Sequence, residues 1–383
     1  MKGSSRPAPR PPPTGGLKKL DELDLADLES IRLILYGSSV IDWQRLDLTN
    51  ETDIRQFFAV QEFRLTDPYD RSRLEAIKVE AIDYLQRNFS FPIPSSVRRL
   101  RVEELVKLAS GQGHKQLCAC TVLKCMHIIH HLEGRELLMH VPISDQELFH
   151  LVEEKVYRVI GGMLAGGFPI VEFVGGRKNK DSLYTKLLSK QETTAAQIYD
   201  KLRFRIVMRE KDDIFPVVQY LTQKLFPFNY VVPDQSINSL FAFRAYCEDQ
   251  PALAKLLPQL QKSPDDEFRP NDNQFSAATY RVVHFVVDMP IRLPDRVLRR
   301  ASEEGERLGN VGFVICEFQV VDRATEAKNE TGDASHAQYK ERQKVAVLRR
   351  LHLLPPEKPR RSDKSRSTIP PARPSLTPGK RRS

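Results

Sequence analysis

The spacing of apolar residues changes near residue 166, and this change limits the folds that the chain can adopt. Before it, apolar positions recur at helical intervals, for example over 20–35 and 116–132. After it, short apolar runs such as Leu202–Met208 and Val311–Val321 alternate with helical segments. The pattern predicts an α+β fold, in which a mixed sheet of about five strands is flanked by helices and preceded by a mainly helical domain.

Composition divides the chain into a folded middle and two basic ends. Residues 1–16 and 351–383 are rich in Pro, Ser and basic residues and cannot bury a core, so we predict two disordered tails. Between them we expect a helical domain at 17–165 and an α+β domain at 166–350. Much of the net charge of +9 lies in the tails, since residues 357–383 hold nine Lys or Arg and two acidic residues. Such tails either contact RNA phosphates or only keep the chain soluble, and the second interpretation is favoured because basic tails carry no sequence readout.

Several classes of protein are excluded by what the sequence lacks. No apolar run approaches the roughly 20 residues of a membrane-spanning helix, and the Pro-rich N-terminus has no apolar core of a secretory signal. The cysteines are odd in number and mostly lie in apolar surroundings, and they are Cys118, Cys120, Cys125, Cys247 and Cys316. We therefore expect reduced thiols in a cytoplasmic protein that has no membrane partner.

A basic segment near residue 180 has the spacing of an anion-binding helix. Lys178, Ser182 and Lys186 follow one another at intervals of four residues, which places two cations and a hydroxyl on one helix face. The preceding glycines, Gly175 and Gly176, let a phosphate approach the backbone closely. The alternative is an ordinary solvated helix surface, which the spacing alone does not exclude.

A single carboxylate stands just before the strand predicted at Leu202–Met208. Alternation along that strand puts Arg203 and Arg205 on one face and the apolar residues on the other. Two arginines next to Asp200 would be costly in a core, but they suit the binding of a triphosphate or a purine. An ion-paired sheet surface is the alternative.

A second carboxylate lies within the apolar strand predicted at Val311–Val321. Glu317 shares a face with Gln319, and a carboxylate in such a strand is costly unless a metal or a polar contact partners it. Mg²⁺ prefers oxygen ligands and commonly uses one or two carboxylates plus substrate phosphates, a role that Asp200 and Glu317 fit. Tyr280 and His284 share a face of the strand predicted at 279–288, where they could meet one ligand or belong to a half-buried surface.

Three histidines on the helix predicted at 116–132 offer a competing site. His127, His130 and His131 have the i, i+3 and i+4 spacing of a possible metal pair. Two ligands do not make a site, so we favour packing of this helix against the sheet over metal binding.

These blocks, taken in order, resemble the synthetase domain of RelA/SpoT-type alarmone synthetases over about residues 166–345. The family's basic helix is matched by Lys178, Ser182 and Lys186, and its Asp-x-x-Gly-x-Arg block by Asp200, Arg203 and Arg205. Tyr280 and His284 are similar to its Gly-Tyr-x-x-x-His block, and Glu317 with Gln319 to its Glu-x-Gln block. The closing His-x-x-Tyr-Lys is matched by His336, Tyr339 and Lys340.

The resemblance implies a nucleotidyltransferase-like fold and an ATP-dependent pyrophosphokinase that makes (p)ppGpp-type products. Pyrophosphate would move from ATP to the 3′-hydroxyl of a guanosine nucleotide. Asp200 and Glu317 would be catalytic and hold Mg²⁺, while Tyr280, His284 and Gln319 would bind the acceptor. The residues implied for ATP are Arg177, Lys178, Lys180, Ser182, Lys186, Arg203 and Arg205.

The chain departs from the family pattern mostly on the acceptor side. Arg203 replaces the glycine of the Asp block, Ala278-Thr279 replaces Asn-Gly, and Val321 replaces an arginine. Another acceptor, such as the 3′ end of a tRNA, and a non-catalytic nucleotide- or RNA-binding module are therefore the alternatives. The helical part lacks the His-Asp dipeptide of the family's hydrolase domain, so we expect no alarmone hydrolysis. Whether the chain forms a homo-oligomer stays open.

Overall fold

The helical part of the chain comes first in a computed structural model that describes residues 16–37, 46–189, 201–260 and 275–355. Within those ranges, seven α-helices precede the first strand: α1 Leu25–Tyr36, α2 Glu51–Val60, α3 Pro68–Phe89, α4 Ser95–Arg98, α5 Val102–Ala109, α6 His114–His140 and α7 Asp145–Ala165. The Ser144 hydroxyl accepts the N–H of Glu147, and the Glu147 carboxylate accepts the N–H of Ser144, each at 3.2 Å. This reciprocal cap fixes the start of α7 where the sequence predicts it.

A mixed sheet follows, and its five strands lie in the order β1-β2-β5-β4-β3. The strands are β1 Ile170–Arg177, β2 Leu202–Met208, β3 Ile237–Asn238, β4 Val283–Arg292 and β5 Val311–Asp322. Strands β2 and β5 run parallel, and the other neighbouring pairs are antiparallel. The predicted α+β class and the mixed sheet of about five strands are confirmed.

Further helices pack around this sheet within the described ranges. They are α8 Lys180–Ser189, α9 Ile214–Lys224, α10 Phe243–Asp249, α11 Pro251–Ala254, α12 Asp295–Leu298, α13 Glu303–Arg307, α14 Arg323–Asn329 and α15 His336–Arg350. No helix of the described part of the chain is both long enough and apolar enough to span a membrane. Apart from Gly16 and residues 351–355, the predicted tails lie outside the described residues.

Two predicted segments before β4 differ from the structure. The sequence predicts an irregular stretch at 233–275, but the structure has β3, α10 and α11 there, and the part at 261–274 lies outside the described residues. The strand predicted from Thr279 begins only at Val283. The reason is that side chains distant in sequence, Ser239 and Asn329, bind the backbone of residues 280–282 in place of a strand partner.

Two further segments are shorter or more broken than predicted. The sequence predicts an extended run at 228–232, but this run begins with a 3-10 turn at Phe228–Tyr230. The sequence also predicts one helix at 294–307, which in the structure is divided into α12 and α13. Its division occurs at Ser302, whose hydroxyl accepts the N–H of Gly305 and so starts a new helix.

The two faces of the sheet differ in polarity because side chains alternate along each strand. The core face carries Phe204, Phe285 and Phe318 and packs against α1, α7 and α9. The opposite face, which we call the polar face, carries five polar side chains next to one another: Arg203, Arg205, His284, Glu317 and Gln319. The predicted separation of the β2 arginines from its apolar residues is confirmed.

Helix α6 covers the other end of the polar face, and its histidines pack there. The ring of His127 lies 4.6 Å from that of Tyr230, and the ring of His130 lies 5.3 Å from that of Phe313. Burial lowers the pKa of both imidazoles to about 3, so they are neutral near pH 7. No group of three or more His, Cys, Asp or Glu among the described residues could hold a metal ion, and the rings serve packing.

Three helices hold the far end of β4 through buried polar contacts. The Asp288 carboxylate accepts from His131 of α6 at 2.7 Å, and the Pro290 carbonyl accepts from Lys155 of α7 at 2.8 Å. The guanidinium of Arg292 donates to Asp70 of α3 at 2.6 Å. Strand β4 therefore joins the helical part to the strand end that carries His284.

The close approach of α6 to β5 depends on Gly134. A Cβ at this position would overlap the Phe313 ring and lie 2.7 Å from the Val311 carbonyl oxygen. We therefore expect Gly134→Ala to lower the free energy of unfolding by about 1–3 kcal/mol, the usual cost of overpacking. Gly161→Ala in α7 is the matched control, because nothing lies within 4 Å of the added carbon. That change should raise stability by about 0.5–1 kcal/mol, and equal results in urea unfolding would contradict the close approach.

Candidate active site

Strand register brings the predicted acceptor and donor residues together around Glu317. Glu317 of β5 lies beside Arg203 of β2, and the next residue on the same face, Gln319, lies between Arg205 and His284. Helix α14 packs against β2 and β5 next to this cluster. The sheet thus places residues from three strands, which span positions 203 to 319 of the chain, on one small surface.

The carboxylate of Glu317 is buried and hydrogen-bonded. Its side chain is only 8 % exposed, and Oε1 accepts a hydrogen bond of 2.6 Å from the Gln319 amide. The Nε2 atom of His284 lies 3.4 Å from the same oxygen. A buried carboxylate without such contacts would be strongly destabilising, so the surrounding polar groups are what allow an acid at this position.

Arg205 is held from several directions at once. It donates to the Gln319 amide oxygen from Nε at 3.1 Å and from Nη2 at 2.9 Å, and to the Tyr280 hydroxyl at 3.3 Å. A further hydrogen bond joins it to the carboxylate of Glu326 on α14. Burial by itself lowers the pKa of Arg205, but Tyr280 and Glu326 outweigh it and raise that pKa above its usual value.

Tyr280 stands at the rim of the cluster, on a loop that two other segments hold. The Ser239 hydroxyl donates to the Tyr280 carbonyl at 3.1 Å and accepts the N–H of Val282 at 2.9 Å. The amide of Asn329 binds the backbone N–H and carbonyl of Arg281 at 3.0 and 2.7 Å. Burial, mainly, raises the pKa of the Tyr280 phenol, so the ring is uncharged near pH 7.

The basic segment begins at the end of β1. The N–H of Lys178 donates to the Lys201 carbonyl at 2.9 Å, which ties the start of this segment to β2. Helix α8 begins at Lys180, so Lys178 precedes the helix, whereas Ser182 and Lys186 lie within it four residues apart. The Asn179 side chain caps α8 by accepting the N–H of Ser182 at 2.8 Å. Lys180 is exposed to solvent.

Arg177 is not brought to the polar face. In register it pairs with Leu202, whose side chain points into the core face. Its guanidinium makes two hydrogen bonds to Glu153 of α7, at 2.9 and 2.8 Å. The sequence predicts a strand that ends at Val174, but β1 continues through Gly175 and Gly176, and this continuation turns Arg177 to the other side. The ATP-binding role predicted for Arg177 therefore gains no support from its position.

Asp200, the other predicted magnesium ligand, lies outside the described residues, and its role stays a prediction. Arg203, three positions after it in the sequence, is the residue in register with Glu317. A buried carboxylate oxygen is the ligand type that Mg²⁺ prefers, and one or two carboxylates suffice when substrate phosphates complete the coordination. Glu317 fits that chemistry, although no larger cluster of possible ligands exists among the described residues.

Sequence reasoning missed two acidic residues that join the cluster, Glu326 in α14 and Glu330 directly after it. Glu326 binds Arg205, and a carboxylate oxygen of Glu330 lies 3.7 Å from the same guanidinium. The Asp322 side chain fixes the start of α14 by accepting the N–H of Thr325 at 2.9 Å. A helix cap directly after the Glu317 strand, followed by two acids four residues apart, is the signal that was available.

The closing motif also reaches the cluster through His336, the first residue of α15. Partial burial and the nearby cations Lys340, Arg203 and Arg205 lower the pKa of this imidazole. Helix α15 in turn packs on α8, where Arg350 donates to the carbonyls of Leu187 and Leu188 at 3.1 and 3.0 Å. The helix that carries the predicted ATP-binding residues and the closing motif are therefore neighbours.

Comparison with known proteins identifies this part of the chain. Residues 175–344 match the family model described as the region found in RelA / SpoT proteins, and the resemblance seen in the sequence is thereby confirmed. None of the curated proteins compared with the chain matches it.

Several solved structures are similar to this chain, although their TM-scores are low. Small alarmone synthetase 2 from Bacillus subtilis shares 16% identity over 55% of this chain and 95% of its own, with a TM-score of 0.28. Small alarmone synthetase 1 from Bacillus subtilis, bound to its product pppGpp, shares 16% over 53% and 87%, with a TM-score of 0.31. A GTP pyrophosphokinase family protein from Streptococcus pneumoniae shares 16% over 53% and 83%, with a TM-score of 0.26. The assignment rests on the family match and not on these structures.

Proposed function

We propose, from the RelA/SpoT region at residues 175–344, that this protein is a pyrophosphokinase acting on ATP and a guanosine nucleotide. The 3′-hydroxyl of the acceptor loses its proton and attacks the β-phosphorus of ATP, the pyrophosphoryl group is transferred, and AMP leaves. The observation that carries this proposal is the buried carboxylate of Glu317, held by Gln319 and His284 beside Arg203. A carboxylate that these contacts hold at a fixed position can accept the proton of an attacking hydroxyl.

The other residues position the two substrates. Lys178, Ser182 and Lys186 are expected to bind the ATP phosphates together with Lys180 and Arg203. The ring of Tyr280 is expected to stack on the acceptor base, and His284 is expected to contact the acceptor's phosphates. Because phosphoryl-type transfer needs positioning and charge stabilisation more than covalent chemistry, such an arrangement supplies most of the catalysis.

Magnesium belongs to the same proposal. Glu317, together with Asp200, would hold Mg²⁺. The cation would neutralise charge on the polyphosphate. The chain's own contribution is a dry, hydrogen-bonded carboxylate at a fixed position on β5.

A different acceptor is the second candidate, and the carboxylates of α14 favour it. Glu326 and Glu330 lie next to Arg205 and reduce the positive charge near Tyr280 and His284. A 5′-polyphosphate would be repelled there, whereas the 3′ end of a tRNA brings fewer phosphate charges to the site. The two candidates share the donor chemistry and differ only in the acceptor.

Labelled ATP tests both candidates in one experiment. The full chain is incubated with γ-labelled ATP and Mg²⁺ and with GDP, GTP or tRNA in separate reactions. We expect the label on the guanosine nucleotides. Label on tRNA alone supports the second candidate, and no transfer to any acceptor, although ATP binds, contradicts both.

A further inference from the structure

The hydrogen-bond donors of Arg205 are almost fully used within the protein. A guanidinium has five N–H donors. The Nε donor and one Nη2 donor bind Gln319, and the other Nη2 donor binds Tyr280. A donor on Nη1 binds Glu326, and the Glu330 carboxylate lies 3.7 Å from that nitrogen. This side chain could donate hydrogen bonds to a triphosphate only if it broke hydrogen bonds that it already makes.

The contacts of Arg205 fix the orientation of the Gln319 amide. Because the amide oxygen accepts two hydrogen bonds from the guanidinium, the amide nitrogen must point the other way. That nitrogen donates to Oε1 of Glu317 at 2.6 Å. The position of the proposed catalytic carboxylate is therefore set by a chain of contacts that begins at Arg205.

Glu326 is the anchor of this chain of contacts. Its side chain is 15 % exposed, and Arg205 is 20 % exposed, so water screens the pair only weakly. The second carboxylate oxygen of Glu326 is buried and has no hydrogen-bond partner. The buried negative charge of Glu326 is therefore compensated by Arg205. The same ion pair holds Arg205 where it can reach Gln319.

We infer that Arg205 and Glu326 are positioning residues that orient Glu317 through Gln319, and that Arg205 does not bind the phosphates of ATP. This inference rests on the proposed function. It replaces the ATP-binding role predicted from the resemblance for Arg205, and it leaves Arg203, which is exposed on the same strand, as the donor-binding arginine of β2.

Steady-state kinetics separate positioning from phosphate binding. We expect Arg205→Ala to reduce kcat by about 10–100-fold, the range typical of residues that orient a catalytic group, with the KM for ATP changed less than about twofold. Arg205→Lys should fail to rescue kcat, because an ammonium cannot reproduce the forked contact to Gln319. A phosphate ligand would behave oppositely, with a raised KM for ATP that lysine restores in part, and that result would overturn the inference.

Binding of a non-hydrolysable ATP analogue, AMPCPP, decides the matter even if the proposed function fails. Arg205→Ala should leave the Kd for AMPCPP within about twofold, whereas Arg203→Ala, the matched variant on the same strand, should raise it about tenfold or more. A tenfold loss of affinity in Arg205→Ala refutes the inference whether or not transfer is detected. Absence of transfer by the unaltered chain counts against the proposed function alone.

Glu326→Gln tests the same inference with a variant that should fold even if the Arg205 variants do not. The substitution keeps the shape of the side chain and a hydrogen-bond acceptor, so the fold and the melting temperature should be retained. We expect kcat to fall about tenfold, since the charge that anchors Arg205 is gone, and the Kd for AMPCPP to stay unchanged. Unaltered kcat in Glu326→Gln and tighter binding of AMPCPP would show instead that Glu326 only competes with the nucleotide for Arg205.

Discussion

Glu317→Gln is expected to reduce pyrophosphate transfer about a thousandfold while the protein remains folded. The reason is that glutamine keeps the shape of the side chain but can neither accept a proton nor offer a carboxylate to Mg²⁺. General-base catalysis alone contributes about 10²–10⁴-fold. The contacts to Gln319 and His284 can be retained by an amide that turns its oxygen toward them.

Initial rates with labelled ATP measure the effect, and thermal unfolding verifies the fold. Glu172→Gln is the matched control, since Glu172 lies on the same sheet but is exposed on β1. Its rate should equal that of the unaltered chain. If Glu317→Gln retained more than about a tenth of the activity, Glu317 could not be the catalytic carboxylate.

Asp70→Ala is expected to have the largest effect on stability, a loss of about 3–5 kcal/mol in the free energy of unfolding. Asp70 is fully buried and accepts hydrogen bonds from Arg292 at 2.6 Å, from the Arg64 N–H at 2.7 Å and from Asn310 at 3.3 Å. Removal of its carboxylate leaves the guanidinium of Arg292 largely buried without its closest partner. The contact between α3 and β4 should weaken accordingly.

Urea unfolding of Asp70→Ala, Arg292→Ala and the double variant forms a mutant cycle for this pair. Glu51→Ala is the control, because Glu51 forms an exposed ion pair with Arg55 on α2 and should cost less than about 1 kcal/mol. A loss for Asp70→Ala as small as that of the control would show that the buried pair does not hold β4 in place.

The parts of the fold that could be predicted are those set by local spacing. The alternation of Leu202–Met208 fixes both the bounds of β2 and the face that its arginines occupy. The sequence also predicts a closing helix at 336–350, and the structure has it at His336–Arg350, where the Ser335 side chain caps its start. In both cases the residues that decide the structure lie within the element itself.

The remaining differences arise from contacts between residues distant in sequence. Strand β4 begins late because Ser239 and Asn329 occupy the backbone before it. Strand β1 continues through Gly175, where the Phe204 ring packs so closely that a Cβ would lie only 2.8 Å from it. The local sequence around Gly175 does not predict this contact with Phe204. Because the strand continues, Arg177 points away from the polar face.

The residues of the candidate site were predicted through the family resemblance, and the strand register then brings several of them together. Arg203, His284, Glu317 and Gln319 meet because neighbouring strands place them side by side. The role of Arg205 was not predictable, since it depends on Glu326, which reaches it from α14, 121 positions further along the chain. The helix cap at Asp322 and the two acids after it mark an acidic helix end, but their spacing does not say which cation they reach.

The contacts that hold β4 have a consequence for experiments that seek a minimal active fragment. Strand β4 is hydrogen-bonded to α3, α6 and α7 at one end and carries His284 at the other. Excision of residues 166–350 as a stand-alone fragment would remove these contacts and expose the part of the core face that α1 and α7 cover, whereas α9 would remain. A fragment that carries residues 166–350 should therefore fold only if α3, α6 and α7 are included with it.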